Sequence, residues 1–134
     1  MSLYTEHDIV YLKREIRSYS LEIDPDFWKV PNTELARICN GIGPENMSEI
    51  LRKILTTIYH RYQAAGVAHD YDYEKKKITK TEADTRFYKN MLRIWEQFYG
   101  WRRFLPSGLK ERFLIRSAYL AVKNFGDSAW EPEK

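Results

Sequence analysis

TEADTRFYKNMLRIWEQFYG, residues 81–100, decides the fold. At 100° per residue, Phe87, Tyr88, Met91, Trp95 and Phe98 fall within about 60° of the direction of Asp84, while Arg86, Lys89, Asn90 and Arg93 take the other side. A stripe of this kind belongs to an amphipathic helix with one face in a core. Thr81 stands where a helix cap belongs and Gly100 where a helix stops, so a helix over 81–99 is expected.

Similar patterns extend in both directions. Thr5 and Asp8 form a capping-box pair ahead of the stripe Ile9, Leu12, Ile16 and Tyr19. DPDFWKVP (24–31) carries two prolines and reads as a connector pinned by Phe27 and Trp28. A short helix over 33–39 stops at NGIGP, and Asn46 or Ser48 can cap the next one. There Ile50, Leu51, Ile54, Leu55, Ile58, Tyr59 and Tyr62 make an apolar stripe, and small residues from Ala64 to Ala68 would let another backbone come close. Gly66 is the expected kink, since glycine costs about 1 kcal/mol against alanine inside a helix. KKKITK (75–80) reads as a solvated loop. Leu105 to Gly108 break the chain, and LKERFLIRSAYLAVKNFG supplies a last helix closed by Gly126. No stretch alternates like a strand between hairpin turns. The expected fold is all-α: one compact helical domain over 1–134, of about five helices, with an antiparallel pair (about 63–75 and 81–99) at its centre.

Composition sets the outer limits. The chain has 134 residues, enough for one core, and 22 basic against 19 acidic side chains, so there is no clear nucleic-acid signal. One cysteine, Cys39, forbids an intramolecular disulfide and reads as a small buried residue. MSLYTEHD lacks the apolar run of a signal peptide, and no apolar stretch approaches the roughly 20 residues of a membrane helix. A cytoplasmic protein is expected, delivery by a phage or secretion device aside. The pattern leaves the oligomeric state open.

Asp84 is the informative acid. It points along the aromatic stripe, where an ionised carboxylate is costly without a partner. In the first helical turn it gains from the helix dipole and can return a bond to Thr81. Alternatively it meets His69 and Tyr73, which lie one turn apart on the preceding helix across a short loop. An imidazole with one N–H on a buried carboxylate has a fixed tautomer, and its other nitrogen becomes a general base. Asp70 lies about 100° round the same helix, where its oxygens can hold a hard cation completed by carbonyls of NGIGPEN (40–46).

A glycine-bearing loop, a helix with HDxxY (His69, Asp70, Tyr73) and a partner helix with ADxxF (Ala83, Asp84, Phe87) together resemble the phospholipase A2 superfamily, in the disulfide-free variant of parvovirus capsid proteins. The resemblance covers about residues 40–91. It implies that His69 activates water against an ester, Asp84 orients it and Tyr73 bonds Asp84. Asp70 with the carbonyls of Ile42 and Gly43 would bind Ca²⁺, and phospholipid or a membrane surface would be the partner. Glu45 stands where that family's loop has a glycine, and a whole helix separates loop from HD. HDYDY, the ADxxF helix and AYLAVKNFGDSAW (118–130) are also similar to small uncharacterised bacterial and phage proteins with an HD helix.

Two other readings stay open. An HD-type metal phosphohydrolase would need further ligands, with His7 and His60 as the available histidines. A non-catalytic structural or interaction protein would use His69, Asp84 and Tyr73 as a buried network, with Trp28, Trp101 and Trp130 as candidate contacts.

Overall fold

Asp8 and Thr5 exchange the two hydrogen bonds of a capping box, and α1 (Glu6–Ser18) follows, burying Ile9, Leu12 and Ile16. This computed structural model describes residues 4–39, 49–125 and 130, without the side chains of 49–60 and 125. A 3-10 helix (Pro25–Lys29) comes next, with Phe27 fully buried; the expected connector is therefore a helical turn, started by the Asp24 side chain on the Asp26 amide. Then come α2 (Asn32–Ile38), α3 (Glu49–Lys75), α4 (Lys80–Tyr99), a second 3-10 helix (Gly100–Phe104) and α5 (Pro106–Phe125). Among the described residues there is no strand, and the protein is all-α. None of its described helices is long and apolar enough to cross a membrane.

α3, α4 and α5 pack pairwise, and α1 packs on α2 and α3. Tyr73 of α3 meets Asp84 of α4 at one end, while Tyr62 and Tyr99 share Glu111 at the other, so α3 and α4 run antiparallel as expected. α5 returns beside them, with Glu111 near Tyr99 and the Val122 carbonyl on Lys80. One cluster of buried apolar side chains draws on all five helices, from Ile9 through Leu35, Tyr71 and Phe87 to Ile115.

Several local expectations are corrected. α4 is capped by Thr79, not Thr81: Thr79 takes the Glu82 amide at 3.1 Å and Glu82 returns the bond, so the helix starts at Lys80 and the loop shrinks to 76–79. α3 departs from helical geometry at Tyr62 (φ −108°, ψ 15°) rather than at Gly66, which is buried within the helix. Pro106 does not break the chain but occupies the first position of α5, where its missing N–H costs nothing. Asn90, assigned to the polar side of α4, is fully buried and both donates to and accepts from the Glu22 backbone. Phe98 is 42% exposed instead of in the core, with the Arg61 guanidinium 3.8 Å from its ring centre. The proposed caps Asn46 and Ser48, the NGIGP stop and Gly126 lie outside the described residues.

Two glycines shape the turn from α4 to α5. Gly100 ends α4 at φ +54°, where a side chain would be strained. Gly108 lies against the backbone of Arg103, close enough that an added Cβ would meet its carbonyl oxygen at 2.6 Å. The buried Trp95 indole N–H also donates to the Gly108 carbonyl at 2.8 Å.

Candidate functional site

Ala64, Ala65, Gly66, Val67 and Ala68 are buried, and their small volume lets α4 come close to the second half of α3. His69 and Tyr73, one turn apart, therefore face the first turns of α4. With Thr79 and Glu82 occupied by the cap, Asp84 is free to turn inward, and its residue is only 2% exposed. Its Oδ1 is 2.8 Å from His69 Nε2 and accepts from the Tyr73 hydroxyl at 2.6 Å. Oδ2 accepts from Lys80 Nζ at 2.8 Å. The sequence thus brings His69, Tyr73 and Asp84 together as expected, and adds Lys80.

Burial and hydrogen bonding compete at both groups. Burial pushes the Asp84 carboxyl up, but the hydrogen bonds from His69, Lys80 and Tyr73 outweigh it and hold it below the usual carboxylate range. Burial also lowers the His69 pKa, and this exceeds the opposing pull of Asp84. The two directions agree: Lys80 already neutralises Asp84, so a protonated His69 would add an uncompensated charge to a buried site. A neutral ring facing an ionised carboxylate must donate from Nε2, which leaves Nδ1 as the basic nitrogen. The ring is held between Phe87, stacked at 4.5 Å, and Tyr73, tilted at 4.3 Å. Trp130 sets its edge against Tyr73 at 5.1 Å, with Lys76 Nζ 5.4 Å from its own ring centre.

Asp70 points elsewhere. It is partly buried, and its charge adds to burial in raising the Cys39 thiol, whose Sγ approaches the Val67 carbonyl at 3.9 Å. Cys39 is buried and free, as expected, which makes it a poor nucleophile. Ile42 and Gly43, the expected carbonyl donors for a cation, lie outside the described residues. Among the described residues no group of three or more His, Cys, Asp and Glu could hold a metal ion. For the phosphohydrolase reading, His7 is exposed on α1, and the His60 side chain lies outside the described ones.

Two further buried acids went unread. Asp72, 4% exposed, accepts from Arg86 at 3.1 Å through Oδ1, while its Oδ2 is buried without a partner. Burial pushes its carboxyl up to about 6, with Arg86 opposing. Glu111 accepts from Arg61, from the Tyr62 hydroxyl at 2.6 Å and from the Tyr99 hydroxyl at 2.5 Å. For Lys80 a signal was available: its spacing of four from Asp84 is that of a helical ion pair, but it registers only if the helix begins at Thr79.

Comparison of the chain with protein-family models, with curated proteins and with solved structures finds no match, so its functional reading rests on the geometry of His69, Tyr73, Lys80 and Asp84.

Proposed function

We propose that the chain is a phospholipase A2-like ester hydrolase in which His69 takes a proton from water and Asp84 orients the ring. The observation that supports this best is the 2.8 Å bond between His69 Nε2 and Asp84 Oδ1, with Tyr73 on the same oxygen. Asp84 holds the tautomer in which Nδ1 is free to accept the proton, and Tyr73 restrains the carboxylate. Once protonated, the ring has no full counter-charge of its own, because Lys80 already neutralises Asp84. His69 therefore favours returning the proton to the leaving group. Asp70, with the carbonyls of Ile42 and Gly43, is the proposed Ca²⁺ site. When bound, the ion would polarise the ester carbonyl and stabilise the oxyanion. Phospholipid is the proposed substrate and the cytoplasm the proposed location.

Lys80 favours a second reading. Its ammonium also donates to the carbonyls of Val122 at 3.2 Å and Lys123 at 3.3 Å, so the Asp84 cluster ties α4 to the last turns of α5. A network that only specifies the packing of three helices would look the same.

Fatty-acid release from mixed liposomes, with and without Ca²⁺, separates the two. The hydrolase reading expects release that His69→Ala abolishes and whose calcium requirement Asp70→Asn weakens. Release that needs His69 but not calcium keeps the base and removes the cation. No release by the wild type in any lipid composition leaves the structural network.

A further inference from the structure

α5 is apolar on two faces. Ile115, Ala118, Ala121 and Val122 enter the core, while Leu109, Phe113 and Leu120 form a stripe on roughly the opposite side. Phe113 is 66% exposed, and in the adjoining 3-10 turn Trp101 is 71% and Phe104 66% exposed. A helix with apolar residues on both faces is normally covered on both, and this many exposed aromatic and aliphatic side chains in one stretch point to a binding surface.

The charges around the patch say what covers it. Residues 100–120 hold Arg102, Arg103, Lys110, Arg112 and Arg116 against one acid, Glu111, and the rest of the chain carries one more acid than base. Glu111 is turned inward and taken up by Arg61, Tyr62 and Tyr99, so it does not offset those cations at the surface. Arg102, Lys110, Arg112 and Arg116 are exposed. A second copy of the chain would set these cations against their own kind. Trp130 sits on Tyr73 at the other end of α5, away from the patch. For a nucleic acid, the aromatic rings and arginines would serve, but exposed Leu105, Leu109 and Leu120 would have nothing to do. Protruding Trp, Phe and Leu flanked by arginines suit the boundary between anionic headgroups and acyl chains.

We propose that the second 3-10 turn and the outer face of α5 form a docking surface for anionic phospholipid membranes. Gly108 shapes this corner, because only a residue without a Cβ lets the backbone of Arg103, in the turn that carries Trp101 and Phe104, settle on the first turn of α5. The surface requires no chemistry at His69, so it stands or falls separately from ester hydrolysis.

Co-sedimentation of the full chain with phosphatidylcholine vesicles, with and without about a third phosphatidylserine, tests this. Binding at least about tenfold tighter to the anionic vesicles, weakening with salt, is expected. The pair Arg102→Glu and Arg116→Glu should remove that preference, since each basic residue near such a surface contributes about fivefold. The pair Trp101→Ser and Phe113→Ser should lower binding at least about tenfold with unchanged helical content, both side chains being outside the core. His69→Gln should bind as the wild type does, which separates docking from catalysis. Equal binding by the patch variants and the wild type, no preference for anionic vesicles, or self-association that the patch variants abolish, would each overturn the proposal.

Discussion

Two inward-turned carboxylates, one buried and one partly buried, lie at opposite ends of the α3–α4–α5 bundle and are built from similar parts. Asp84 near the start of α4 has a lysine, a tyrosine and a histidine; Glu111 in α5 has an arginine and two tyrosines. In each, burial raises the acid and hydrogen bonds more than compensate, so both carboxyls lie below their usual range. The difference that matters for proton transfer is the histidine, which takes the place of one tyrosine. The tyrosines at Glu111 are pushed up, chiefly by burial, and arginine stays charged, so nothing there exchanges a proton near neutral pH. His69 differs, because its ordinary range lies closest to neutrality, and burial lowers it from there. A neutralised buried carboxylate is thus a structural device at both ends, and only the histidine gives one of them a chemical capacity.

Four measurements sharpen or break that contrast. The largest effect is expected on rate. Asp84→Asn removes the tautomer control and should lower lipid hydrolysis by about 10⁴ in kcat, while Glu111→Gln, assayed where it remains folded, should leave hydrolysis unchanged. Equal losses in the two would erase the distinction. Next, Glu111→Ala strands the Arg61 guanidinium and two hydroxyls and should cost about 3 kcal/mol in urea unfolding.

The pH dependence comes third and has two signs. The Asp72 carboxyl is raised from 3.8 to about 6 in the fold, so its contribution to stability is full below pH 3.8 and is lost as pH rises through about 6. Asp72→Asn should therefore gain on the wild type across that interval, by about 3 kcal/mol at most, in unfolding followed from pH 4 to 8. His69 is lowered, so its contribution is present above 6.5 and is lost as pH falls below it; His69→Gln should flatten that acid limb alone. Opposite slopes in the two variants are the expected outcome. The smallest effects belong to the hydroxyls: Tyr73→Phe and Tyr62→Phe should each cost about 1 kcal/mol, with a change in rate only for Tyr73.

The helical stripes were legible because each reports burial directly. Ile9, Leu12 and Ile16, or Phe87, Met91 and Trp95, repeat at the spacing of one helix face and all reach the core. Asp84 was legible as a violation of that pattern. What failed was local competition between similar signals. Thr79 with Glu82 and Thr81 with Asp84 are both threonine–acid pairs three apart; the first cap prevailed, and Asp84 became available to His69. Asn90 was read as surface and Glu111 gave no signal, because their partners lie far along the chain, on Glu22 and on Arg61 and Tyr62. Periodicity reports which way a side chain points, but not what meets it there. The kink at Tyr62 has the same origin: Tyr62 is fully buried and its hydroxyl ends on Glu111, a distant partner that the glycine count around residue 66 does not register.

The hydrogen bond from the Trp95 indole to the Gly108 carbonyl has an optical consequence. Trp95 is 3% exposed beneath the same turn that carries Trp101 on its outside, so two indoles a few residues apart sit in opposite environments. A water-soluble quencher would reach Trp101 and not Trp95. With Trp28 and Trp130 replaced by phenylalanine, the chain would carry its own label for the outer corner and an internal standard beneath it, and loosening of the turn would register as quenching of Trp95.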